Sequence, residues 1–87
     1  MRTIILDGGR LAQREAAMDI LTLALDLPEG WGRNLDALHD CLTEVGQPTR
    51  VELVDCGVLE GTVFGQGLLR VLEDSAWENP NIELAEL

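Results

Sequence analysis

The chain has 87 residues, 46% hydrophobic and 25% charged, a balance that excludes disorder and supplies one core, since a domain of this order buries about 60% of the surface its unfolded chain exposes. Sixteen Asp and Glu stand against six Arg, with no Lys, for a net charge of −10 and a pI near 4.2. Such a field repels nucleic acid and anionic membranes and attracts basic proteins, so direct DNA, RNA or membrane binding is not expected.

Thr3 to Leu6 is a short apolar, β-branched run closed by Asp7-Gly8-Gly9. It reads as a strand buried on both faces at the sheet centre. Leu11, Glu15, Ala16, Met18, Leu21, Leu23 and Leu25 suit a helix over about Ala12 to Leu25, which must end before Leu27-Pro28. Pro28-Glu29-Gly30-Trp31-Gly32 is a turn or loop. Asn34 can cap a second helix, whose apolar stripe is Leu35, Leu38, Leu42 and Val45 and which Gly46-Gln47-Pro48 ends. Arg50 to Asp55 alternates in part and reads as a second strand. Gly57 to Gly67 is punctuated by glycine and gives no clear element. Leu68 to Trp77 is a third helix, stopped by Asn79-Pro80-Asn81. Ile82 to Leu87 alternates apolar and acidic residues, as an edge strand that discourages further pairing should. Strands separated by helices predict an α/β fold over residues 1–87, one domain with a three-stranded parallel sheet packed with three to four helices.

Catalytic chemistry is poorly supplied. His39 and Cys41 lie two residues apart on a helix and do not face each other. The only serine, Ser75, falls inside a helix, and Gly65-Gln66-Gly67 lacks the GK[ST] ending of a phosphate loop. Asp36, His39 and Asp40 could approach one metal ion, but three ligands on one turn make an open, incomplete shell. Neither metal nor cofactor is expected. Cys41 and Cys56 match neither a redox nor a zinc spacing and read as reduced thiols. The N-terminus reaches Asp7 too soon for a signal peptide, and no stretch can span a bilayer. A cytoplasmic location is expected.

The distinctive feature is the polar side of the second helix. Asp36, His39, Asp40 and Thr43 share one face, and Glu44 extends the acidic edge by another four residues. Asp36 profits from the helix dipole, whereas Asp40 repels Asp36 at i+4 by ~0.2–0.5 kcal/mol. A solvated face is the plain explanation. Against it stand Trp31 and Gly32, an aromatic of the kind enriched at interfaces beside a backbone open to close approach, although Trp31 also suits partial core packing.

The run from Leu27 to Thr43, LPEGWGRNLDALHDCLT, closely resembles the LPE-aromatic-aromatic-G-x-NLDALWDCLT segment of the barstar family of intracellular ribonuclease inhibitors. Chain length, the first strand and the last helix resemble the family more weakly. The resemblance implies a barstar-like fold and a protein that is no enzyme but plugs the active site of a basic ribonuclease, barnase-like or a toxin nuclease, in a one-to-one complex. It implies that Asp40 takes the place of a substrate phosphate, with Asp36 a second contact and Asp74, on the last helix, a remote one. Trp31, Gly32, Asn34, Leu35, Ala37 and Thr43 fall on family interface positions, and His39 and Glu44 complete the expected surface. Gly30 stands where the family has its first aromatic, His39 where it has tryptophan, and Glu44 where it has glycine. An immunity protein against a nuclease toxin, or a nucleic-acid mimic that binds a DNA-binding protein, is the alternative.

Overall fold

The computed structural model describes residues 1–87. Strands β1 (Arg2–Asp7), β2 (Thr49–Val54) and β3 (Ile82–Glu86) form a parallel sheet in the order β1-β2-β3. Between β1 and β2 lie helices α1 (Arg14–Ala24) and α2 (Leu35–Thr43). Between β2 and β3 lie α3 (Cys56–Leu59) and α4 (Val63–Glu78). The α/β architecture therefore stands as expected, with four helices. No helix is long and apolar enough to cross a membrane.

Both crossovers step the same way across the sheet, and a common hand then puts every helix on one face. Ile4, Leu6, Val51, Leu53 and Ile82 point into that side and are buried with Leu11, Leu21, Leu38, Leu42, Leu68 and Leu72. Each leucine so covered contributes about 1.5–3 kcal/mol relative to exposure. The opposite face is open, and Ile5 on it is 66% exposed. β1 is thus an edge strand covered on one face, not the doubly buried central strand that its apolar run predicts. β2 holds the centre. On the open face Arg50 lies between Glu52 (2.9 Å) and Glu83 (3.1 Å), which makes the middle of the bare sheet polar.

α4 begins at Val63, five residues ahead of the expected Leu68, and the unassigned glycine-rich segment holds α3. Thr62 caps α4, its hydroxyl accepting the Gly65 amide at 2.9 Å. Gly65 lets the Leu59 backbone pass, and a Cβ on Gly67 would sit 2.9 Å from Leu35 Cδ1. The glycines that hide the helix in the sequence are those that let α2 and α3 lie close to it.

Asn79, at the end of α4, joins that helix to α2. Its buried Nδ2 donates to the carbonyls of Leu42 (2.9 Å) and Val45 (3.0 Å), with Thr43 at 3.4 Å, and its Oδ1 accepts the Asn81 amide at 3.0 Å. These carbonyls belong to the last turn of α2 and just beyond it, where no helical amide follows to bind them. Removing the amide leaves buried acceptors unpaired. Asn79→Ala should lower the unfolding free energy by about 1–3 kcal/mol in urea denaturation, and Asn81→Ala, which removes one 3.2 Å bond to Val45, by less.

Where α4 meets the end of β3, hydrogen bonding with Glu86, then burial, then the charges of Glu86, Asp74 and Glu60 raise the Glu73 carboxyl above its ordinary value. The folded chain therefore holds this proton more tightly than the unfolded one, so stability falls as pH rises from the ordinary glutamate range through the raised value. Glu73→Gln should raise the melting temperature at pH 7 and leave it nearly unchanged at pH 4, as read by circular dichroism melts at both.

Candidate partner interface

α2 begins where it does because Asn34 supplies an extended residue (φ −145°, ψ 171°) whose Oδ1 accepts the Ala37 amide at 2.8 Å. One of the unpaired first-turn amides is thereby satisfied. The same side chain donates through Nδ2 to the Gly32 carbonyl at 3.2 Å, tying the helix start to the preceding loop. In that loop Gly30, Gly32 and Arg33 all have positive φ, at 80°, 99° and 49°. A Cβ on Gly32 would lie 2.9 Å from the Ala37 Cβ, so only glycine lets the loop rest on the first turn of α2. Arg33 has no such freedom, and its left-handed backbone costs about 1–2 kcal/mol. Its guanidinium is held by α1, with Nη2 2.6 Å from Asp19 Oδ1.

Trp31 is only 8% exposed. Its indole Nε1 donates to the Thr22 hydroxyl at 2.9 Å, and that hydroxyl donates to the Met18 carbonyl at 2.6 Å. The core packing that the sequence allowed is what the fold adopts, so Trp31 anchors the loop against α1 and leaves little of its ring on the surface.

Along α2, Leu38 and Leu42 face the core, while Leu35, Ala37 and Cys41 are half-buried at its margins. Asp36, Asp40 and Glu44 line the outward edge and are exposed, with 83% of the Asp40 side chain accessible. Asp36 and Glu44 take part in no ion pair. Asp40 has only His39, whose Nδ1 is 4.0 Å from its Oδ1. The helix therefore presents three carboxylates in a row with no arginine among them. Burial, then the Glu44 and Asp40 charges, push the Cys41 thiol up, a local sign of the same field. Cys41 and Cys56 are both free.

Two expected residues sit toward the seam between α2 and α4. Thr43 is half-buried and donates to the Asp40 carbonyl at 2.9 Å. His39 is half-buried, its Nε2 2.5 Å from Glu78 Oε2 on α4. Asp74 is exposed on α4, the helix against which α2 packs. One turn beyond it Trp77 is 90% exposed, an aromatic that in the sequence marks only the end of a helix. Asp19 and Thr22, which hold the loop, carry no local signal, because they lie fourteen and nine residues before Arg33 and Trp31. No three His, Cys, Asp or Glu side chains are placed to hold a metal, and no pocket opens on the surface. Ser75 is fully buried inside α4. The arrangement is suited to charge recognition of a basic protein by the exposed acidic edge.

Comparisons with known proteins identify the family. The family model for barstar, the barnase inhibitor, matches residues 1–85. The Bacillus subtilis (strain 168) protein named "Putative ribonuclease inhibitor YrdF" is 54% identical to this chain over 43 residues, 49% of this chain and 47% of that protein. The aligned stretch thus spans about half the length of that relative. The family model covers almost all of the chain, the sheet and helices have the barstar-like form expected, and the protein belongs to the Barstar family, one of inhibitors and not of enzymes.

Proposed function

We propose that this protein inhibits a basic ribonuclease, binding it one to one by inserting the acidic edge of α2 and the loop before it into the nuclease active site. The observation that carries this reading is the uncompensated row Asp36, Asp40 and Glu44 on a helix fixed at both ends. Ribonucleases hold phosphate with Arg, Lys and His, and a carboxylate pairs with a guanidinium fork through two parallel charged hydrogen bonds. Asp40, in the middle of the row and 83% exposed, is the phosphate mimic. Asp36 binds beside it, and Asp74 reaches a cation at the margin. Gly32 and Asn34 bring the loop backbone close, while Leu35, Ala37, His39, Thr43 and Glu44 border the contact. Trp31 acts from within, by fixing the loop.

A typical interface of this type buries about 1,600 Å² in total, and a net charge of −10 favours fast encounter with a basic partner. Barnase and barstar are themselves a standard example of such steering, so no rate is carried over from them. A cytoplasmic site of action fits the two free thiols. A second reading, an immunity or nucleic-acid-mimic protein that binds a different basic protein such as a nuclease toxin or a DNA-binding protein, is favoured by His39, which stands at a family tryptophan position and turns toward Glu78. Competition by RNA as against DNA for the captured partner separates the two.

The test is inhibition of purified barnase and other basic ribonucleases. Asp40→Ala should weaken inhibition about a hundredfold or more, as when one member of a desolvated charge pair is truncated, a rule drawn in part from barnase and barstar. Glu86→Ala, remote from α2, should change it less than twofold. Equal losses would contradict the assignment of Asp40.

A further inference from the structure

The segment carrying the proposed interface contains one arginine, Arg33, three residues ahead of Asp36. Its charge has the wrong sign for a basic partner. In the fold it is turned back onto α1, where Nη2 meets Asp19 Oδ1 at 2.6 Å and Nη1 lies 3.5 Å from the Thr22 hydroxyl. That hydroxyl also accepts the Trp31 indole at 2.9 Å, so one face of α1 grips the loop at two points. Between the grips the chain makes the left-handed residues Gly32 and Arg33.

We infer that Asp19 is a positioning residue for the proposed interface: by binding Arg33 it holds the left-handed turn before α2 and takes the arginine charge away from the acidic edge. The inference rests on the ribonuclease-inhibitor reading for its consequence in binding, and on the free protein for its geometry. The ion pair is open to solvent, at 48% and 71% exposure for the two side chains, and exposed pairs of this kind add little to stability. What it fixes is direction. Without Asp19 nothing but the Thr22 hydroxyl holds the guanidinium, and the nearest unpaired carboxylate in sequence is Asp36. Arg33 would then occupy an acid meant for the partner and repel the cations approaching Asp40. A non-glycine residue released from its tether would also leave positive φ, lifting Gly32 from Ala37.

A cycle of four proteins tests this: the natural chain, Asp19→Asn, Arg33→Gly and the double variant. Glycine keeps the left-handed turn and removes the charge, so it makes Asp19 dispensable. In the free proteins, the intraresidue HN–Hα nuclear Overhauser effect of Arg33, strong only at positive φ, should weaken in Asp19→Asn. An unchanged effect would overturn the clamp whether or not a nuclease is bound. Against barnase, Asp19→Asn should lower affinity about tenfold, a coupling usual for groups in contact, and the loss should shrink in high salt as the freed charge is screened. Arg33→Gly and the double variant should agree within about twofold. Equal losses from Asp19→Asn in both backgrounds would assign the effect to net charge alone and overturn the inference. Failure of the natural chain to bind barnase or any basic ribonuclease would count against the inhibitor reading, while the Overhauser measurement still decides the clamp.

Discussion

A nine-residue helix is too short to be stable in water by its own hydrogen bonds, and α2 carries three acids along one side besides. Its existence depends on what is fastened to its two ends. At the start Asn34 binds both the Ala37 amide and the Gly32 carbonyl. At the finish Asn79 reaches across from α4 to the carbonyls of Leu42 and Val45. Between them Leu38 and Leu42 enter the core, and Gly67 lets Leu35 settle onto α4. Two asparagines and a glycine, none of them acidic, decide whether the acidic surface has a defined shape.

Several unfavourable features of the molecule lie at that surface. Asp36 and Asp40 repel at i+4, Arg33 is left-handed without being glycine, and His39 shares its space with two carboxylates. Strain and like charge of this kind persist only where the surrounding fold over-determines them. Such conflict is not confined there, since Asp26 and Asp55 are also left-handed and Glu73 meets Glu86 where α4 reaches β3. On the open face of the sheet, Arg50 is set between Glu52 and Glu83, so the acids there are neutralised locally. The acids of the open sheet face are compensated, and those along α2 are not.

Much of this was legible in the sequence wherever the determinants are local. The cap at Asn34, the stripe Leu35, Leu38 and Leu42, and the outward row Asp36, Asp40 and Glu44 all follow from a 3.6-residue period. The strands and the last helix were also legible as elements. The placement of β1 was not, because whether an apolar run is covered on one face or two depends on the direction of the crossovers and not on its own residues. The start of α4 was hidden by Gly65 and Gly67, whose value lies in the neighbours they admit. Asn79 looked like a helix stop and is also a buried donor. Trp31 was ambiguous because an indole suits a core and an interface equally, and only Thr22, nine residues earlier, resolves it.

The double use of the Asn34 side chain has a consequence for thermodynamics. A loop with three residues at positive φ would ordinarily sample many shapes, and a partner binding it would have to select one and lose the entropy of the rest. Here Asn34 links the loop carbonyl to the helix amide, and Trp31 roots the same loop in the core. The conformational cost of ordering the surface is met when the chain folds, so that association through the proposed interface would be left mainly with the rigid-body cost of bringing two molecules together.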